Sequence, residues 1–432
     1  MSFSPSATLV VVLFTALTAS LPAIAQPITK YESAPKLAGK ELASEALLSG
    51  PLHSVGEPVA IENFMGRYEI NSQFGKFRVA GVDMLGVRVR ELVAIDALSQ
   101  VEKSVEFQQA LLRSAQVPLQ FVGNAVTDPS GTVENIASGL GTVLGRVGRL
   151  ATTGARAVGD AATDMTSSEP RAQPLPAVAG EPVPPSFTGD PFGFNRARRE
   201  WAKRLNIDPY TTNPVLRPKL DAAARATFVG EFPVNVAIGI VAAPLQYAAS
   251  FDTVVRDSVW NLPVIDLVEQ NERKLRAMGI EGRPVRDFFR NRWFTPTLQT
   301  ALVVALEQLP QVEGRDAVIS SAATVQGEVR ARSFIGAVRM LGKNHHDGVP
   351  LSKVRMSGIV AVGTAIDGKL VVATDLDYVY WNAEAAEFAA RTDLAAKRRT
   401  VLVSGTVSPR AIEELGRAHW DVRAGLRPAS PE

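Results

Sequence analysis

The sequence predicts an α+β protein, mainly helical, and three observations predict it. Apolar residues recur at three- and four-residue steps over most of the chain, the spacing of buried helix faces. Period-two alternation is confined to two places, residues 59–81 and residues 359–374. Seven prolines between Pro170 and Pro191 separate the halves. The expected layout is an N-terminal β-hairpin plus helices, a Pro-rich linker, and a helical region ending in a small α/β unit. In residues, these are a signal peptide over 1–25, a hairpin-plus-helices part over 26–165, a linker over 166–192, a helical region over 193–312 and a C-terminal unit over 313–432.

The leader comes first. No Lys, Arg, Asp or Glu occurs in residues 1–29. An apolar run from Leu9 to Leu17 is followed by Pro22 and then Ala23-Ile24-Ala25, the small-residue pattern after which a signal peptidase cuts. The run is too short to cross about 30 Å of hydrocarbon. A mature chain starting near Gln26, in the periplasm or secreted, is the expectation. The n-region departs from the usual pattern in having no basic side chain.

Tyr68 and Ile70 alternate with Arg67, Glu69 and Asn71; Phe77 and Val79 alternate with Lys76 and Arg78. With Gln73-Phe74-Gly75 between them, they read as a hairpin. Leu85, Val89, Leu92, Val93, Ile95 and Leu98 then form a helical stripe, with Arg88, Arg90, Glu91 and Asp96 off it. A second helix is expected from about Val105 to Val117, before Pro118.

Residues 128–160 combine an apolar stripe (Val133, Ile136, Leu140, Leu144 and Val147 among it) with six glycines from Gly139 to Gly159 and with Arg146, Arg149 and Arg156. Each glycine costs a helix interior about 1 kcal/mol against Ala. Such a segment can lie on a membrane surface, its stripe inserted and its arginines at anionic headgroups, or let a partner helix pack closely. It equally suits a small-residue helix packed on its own domain. Val133, Ile136, Leu140, Leu144, Val147, Arg146 and Arg149 are therefore the candidate membrane or partner contacts.

After the linker, Arg196 to Leu205 reads as a basic helix, Asp208-Pro209-Tyr210-Thr211-Thr212-Asn213-Pro214 as a turn, and Leu220 to Phe228 as a helix. Phe232 to Phe251 carries no charge over twenty residues. Pro233, Asn235, Pro244 and Gln246 interrupt it, which favours a broken buried helix over a membrane span. Helices with polar breaks fill residues 254–342. Near the end, Asp367-Gly368 between two apolar runs predicts a hairpin. A helix over 383–390, a strand over 400–404, a helix capped by Ser408 with Pro409 at its first position, and a strand over 419–423 complete a βαβ unit, with Ile412 and Leu415 facing in.

Net charge is +2, from 46 basic and 44 acidic residues, which argues against a nucleic-acid binder. No cysteine is present, so disulfide-linked partners, thiol nucleophiles and thiolate metal ligands are excluded. Asp375 and Asp377 follow the strand Leu370 to Thr374, and two carboxylates on one turn suit Mg²⁺ or Mn²⁺. The run Leu370-Val371-Val372-Ala373-Thr374-Asp375-Leu376-Asp377-Tyr378-Val379 resembles the first motif of haloacid-dehalogenase-type phosphatases, with Val403-Ser404 in the place of their second. That resemblance implies metal-assisted phosphoryl chemistry. The Thr usual two positions after the second Asp is Val379 here, and no Asp-Asp pair follows. His345-His346-Asp347 has ligand-type residues but adjacent His side chains diverge, so a solvated loop is expected. No nucleophile elbow or dinucleotide loop occurs.

Two function classes follow. The leading one is an exported envelope protein, non-enzymatic, that binds a partner protein or the membrane surface. The other is a hydrolase or transferase using a divalent metal at Asp375 and Asp377.

Overall fold

The computed structural model describes residues 30–115, 193–229, 231–234 and 253–427. The fold is mixed α and β. The leader 1–25, the Gly-rich stripe, the linker 166–192 and most of Phe232–Phe251 lie outside the described residues. Among the described residues, no helix is long and apolar enough to cross a membrane.

The first unit is a small antiparallel sheet. Its centre is β5 (Met65–Ser72), paired on one edge with β6 (Gly75–Ala80). On the other edge it pairs with β4 (Val59–Glu62) along one half and β3 (His53–Val55) along the other. Tyr68, Ile70 and Phe77 turn inward, and the intervening charges stay out. Between β4 and β5, Asn63 and Phe64 both have positive φ, 50° and 65°. That is the mirror-image turn that suits hairpin twist, but it is an uncommon place for an aromatic residue. Tertiary contact holds it: the Phe64 carbonyl accepts from Asp377 N–H and Tyr378 N–H at 3.1 and 3.0 Å. Its ring also meets Tyr380 at 5.4 Å.

Helix α2 (Val82–Glu102) leaves this sheet, with α3 (Val105–Ala115) after it. Both pack on α5 (Leu216–Phe228), which pairs with α4 (Phe194–Arg204). Trp201, Leu216, Leu220 and Phe232 share one core with Leu85, Leu92 and Phe107. Packing therefore crosses the linker in sequence. Arg88 and Glu91, off the apolar stripe of α2, are nonetheless buried, because other segments cover that face of the helix.

The second unit has three layers. Its five-stranded sheet runs, edge to edge, Trp420–Arg423, Arg399–Val403, Leu370–Thr374, Val360–Ala365 and Leu351–Ser357. Strands β7 (Leu351–Ser357), β8 (Val360–Ala365) and β9 (Leu370–Thr374) form an antiparallel meander. β11 (Arg399–Val403) and β13 (Trp420–Arg423) extend it in parallel. β9 is buried along its whole length, as a central strand covered on both faces must be. Val371 and Ala373 face the cluster built by α9 (Pro296–Glu307) and α11 (Glu328–His346). Leu370 and Val372 face the layer of α12 (Ala383–Ala390) and α13 (Pro409–Arg417). Helix α9 is apolar nearly all round and is buried from Pro296 to Leu306.

Two local expectations are corrected. Ile412 is 46% exposed, and only Leu415 of that pair turns inward. His345 and His346 belong to the last turn of α11 rather than to a loop, because Phe334, Val338 and Leu341 anchor the helix on the sheet.

The loop after β11 passes against the loop after β9. A Cβ on Gly405 would lie 2.0 Å from the Asp377 carbonyl oxygen, which is backbone and cannot swing away. Gly405→Ala is expected to cost about 2 kcal/mol through the forced shift, read from chemical denaturation midpoints at unchanged denaturant slope.

Candidate functional site

The Asp375/Asp377 pair sits where β9 ends, the edge at which open α/β sheets commonly hold ligands. The Asp377 side chain is fully buried. Its Oδ2 accepts from Gly66 N–H at 2.9 Å, and both oxygens lie 3.2 Å from Val82 N–H. Arg427 Nη2 donates to Oδ1 at 2.7 Å. Val82 opens α2, and the residue before it, Gly81, supplies no side-chain cap. Asp377 thus caps α2 from another unit, placing a carboxylate on the positive end of the helix.

Asp375 lies beside it, with Arg427 Nη2 3.7 Å from Oδ1 and a fifth of its side chain exposed. Burial pushes the Asp375 carboxyl up to about 6, against the pull of Arg427 and a hydrogen bond to Ser404, while Asp83 and Asp377 add repulsion. Gly336 of α11 admits it, since a Cβ there would meet Asp375 Oδ2 at 2.0 Å. Where a metal would bridge the two carboxylates, the Arg427 guanidinium reaches both. No group of three or more His, Cys, Asp or Glu able to hold a metal occurs among the described residues.

A second cluster joins α2, the 208–213 turn and the start of α11. Arg88 pairs with Glu91 at 2.6 Å and donates to Thr212 Oγ1 at 2.9 Å. Glu91 also accepts from the Thr211 hydroxyl and, at 2.9 Å, from Asn213 Nδ2. Thr212 donates on to Glu328, which Arg332 grips through Nε at 3.0 Å and Nη2 at 2.8 Å. Arg332 reaches Asp83 at 3.4 Å. Burial alone would raise Glu328, but Arg332 and Arg88 overcome it and hold the carboxyl below its ordinary value. Asp208 is pushed from 3.8 up to about 6 by burial, despite hydrogen bonds from Thr297 and the Tyr210 N–H. In sequence, residues 208–214 have the character of a plain turn. The signal available was Arg88 and Glu91 at i, i+3 off an apolar stripe.

A cleft of about 320 Å³ lies between α9, α11 and α6 (Thr253–Asn261). Val255, Ala301, Val304 and Ala305 form its apolar wall; Gln308, Arg339, Lys343, His346 and Asp347 form its polar side. Ala301 and Ala305 of α9 and Gln308, which caps its C-terminus, fall at i, i+4 and i+7; Arg339, Lys343 and His346 repeat that spacing on α11. The two faces are matched, small residues under basic ones. His346 and His345 rings stand at 88°, and His345 Nδ1 accepts from Leu351 N–H at 2.9 Å, so only His346 turns to the cleft. The nearby C-terminal end of α11 disfavours an anion by about 0.3–1 kcal/mol. One charge-assisted hydrogen bond contributes about 1.5–3 kcal/mol, so the side chains prevail.

Asp83 links the first two places, pairing with Arg332 and repelling Asp375, and the Gly-rich contact residues Val133, Ile136, Leu140, Leu144, Val147, Arg146 and Arg149 lie outside the described residues. Comparison with protein families, curated proteins and solved structures finds no match to this chain.

Asp377→Ala should cost about 3 kcal/mol, because it removes the acceptor of two buried N–H groups and a carboxylate partner of Arg427. Asp375→Asn should raise stability at pH 7, by up to on the order of 2 kcal/mol, since it removes a carboxylate whose ionised form burial disfavours. Paired urea denaturation curves measure both. Asp208 titrates with a raised folded-state value, so the native state holds the extra proton between 3.8 and about 6. Its contribution is full below the unfolded value and is lost as pH rises through about 6. Wild-type stability relative to Asp208→Asn should therefore fall by on the order of 2 kcal/mol from pH 4 to pH 7. Thermal melts of both proteins across that range test the sign.

Proposed function

We propose that this is an exported envelope protein that acts by binding, without catalysing a reaction, and that its ligand site is the cleft between α6, α9 and α11. The observation that carries the reading is the cleft itself. It has ligand-sized volume, an apolar wall and convergent polar side chains. Export rests on the apolar run and the Ala23-Ile24-Ala25 pattern. The described contacts begin at Lys30, whose carbonyl accepts from Arg410 at 3.0 Å. Glu32 accepts from Trp381 N–H and, at 2.7 Å, from the Ser408 hydroxyl. Cutting after Ala25 leaves all of these in place. The Gly-rich stripe over 133–158 is the proposed contact with a membrane surface or an envelope partner.

Two measurements test the reading. Cell fractionation with N-terminal sequencing should recover a mature chain starting near Gln26; recovery of the uncut chain in the cytoplasm would remove the export claim. Anilinonaphthalene sulfonate should bind the folded protein, and Val304→Trp or Gln308→Trp should abolish that binding with far-UV circular dichroism unchanged. Undiminished probe fluorescence in both variants places the site elsewhere.

A further inference from the structure

The walls of the cleft differ in kind, and that difference bears on what it takes. This step rests on the reading of the cleft as a ligand site. The α9 side is built from small side chains, Ala301 and Ala305 among them, which leaves a trench where leucines would have filled the space. The α11 side projects Arg339, Lys343 and His346 over that trench from one helical face. The carboxylate among the residues that line the cleft is Asp347. That carboxylate pairs with Lys343 at 2.7 Å, but both partners are well exposed, at 75% and 59%. Exposed pairs of this kind are weak and exchange readily. Lys343 can therefore turn to an incoming anion.

We infer that the cleft binds a single-chain anionic amphiphile, its apolar tail along Val304 and Val255 and its carboxylate or phosphate head at Arg339, Lys343 and His346. About 320 Å³ is at the small end of ligand sites, which suits one chain and excludes a two-chain lipid. Charge-assisted hydrogen bonds supply the preference for an anionic head.

The test is calorimetric titration of the mature protein at pH 7 with decanoate, decyl phosphate, decanol and inorganic phosphate. Decanoate or decyl phosphate should bind about tenfold or more tightly than decanol, and inorganic phosphate should not bind measurably. Their relative strength separates a fatty-acid source from a phospholipid one. Lys343→Glu and Lys343→Gln, at an exposed position, should each weaken the anions and leave decanol unchanged. Raised salt should weaken the anions alone. Equal binding of decanol and decanoate overturns the anionic class, and unchanged decanoate binding in Lys343→Glu does the same. Either result leaves the cleft standing as a ligand site if Val304→Trp still abolishes decanol binding. Binding of inorganic phosphate as tight as that of decyl phosphate removes the amphiphile and leaves a plain anion site. If no compound binds and Val304→Trp leaves the fluorescent probe unaffected, both the inference and the underlying reading fall.

Discussion

The Asp377 carboxylate is the point at which two sheets and a long helix meet. It follows the central strand of the C-terminal sheet, caps the start of α2, takes the Gly66 N–H of the central strand β5 of the N-terminal sheet and anchors Arg427. A fully buried carboxylate is tolerable only when its lone pairs are met. Here each partner comes from a different stretch of chain, so the charge holds those stretches in one arrangement. The Phe64 turn belongs to the same junction: its carbonyl takes the N–H groups of Asp377 and Tyr378, which stabilises an aromatic residue at positive φ. Gly405 and Gly336 leave the space that this convergence needs.

The polar cluster around Glu91, Glu328, Arg88 and Arg332 ties the same bodies together a second time. It joins α2 and α11 through Thr211, Thr212 and Asn213, and its charges alternate in sign along the chain of contacts. Low dielectric strengthens each contact and would penalise any gap. Asp208 accepts from the Thr297 hydroxyl and the Tyr210 N–H, and burial pushes it up to about 6. Asp375, close to Asp83 and Asp377, is likewise pushed up to about 6. Each carboxyl therefore keeps its proton to higher pH in the fold than in the unfolded chain, and their effect on stability opposes the usual loss on mild acidification.

The cleft depends on these junctions only indirectly, through α11. That helix carries Glu328 and Arg332 in the polar cluster, Gly336 against Asp375, and Arg339, Lys343 and His346 on the cleft. One helix thus supports all three places, in order along its length.

The sequence determined the local elements and their kind. Alternation over 66–80, the Asp367-Gly368 turn, the Ser408 cap with Pro409 and the helical stripes are each set by neighbours a few residues apart, where period and cap chemistry act. Asp375 and Asp377 could be picked out as unusual at a strand end, but their partners could not. Gly66 N–H, Val82 N–H and Arg427 are 311, 295 and 50 residues from Asp377, and no local pattern joins them. Arg88 and Glu91 lay off the apolar stripe of α2, and only the packing of the 208–213 turn and α11 buried them. The cleft likewise needs two helices in register, α9 with its alanines and α11 with its basic residues. Local chemistry wrote the elements; long-range burial and charge pairing, which operate only once the elements meet, decided which side chains became core, clamp or ligand wall.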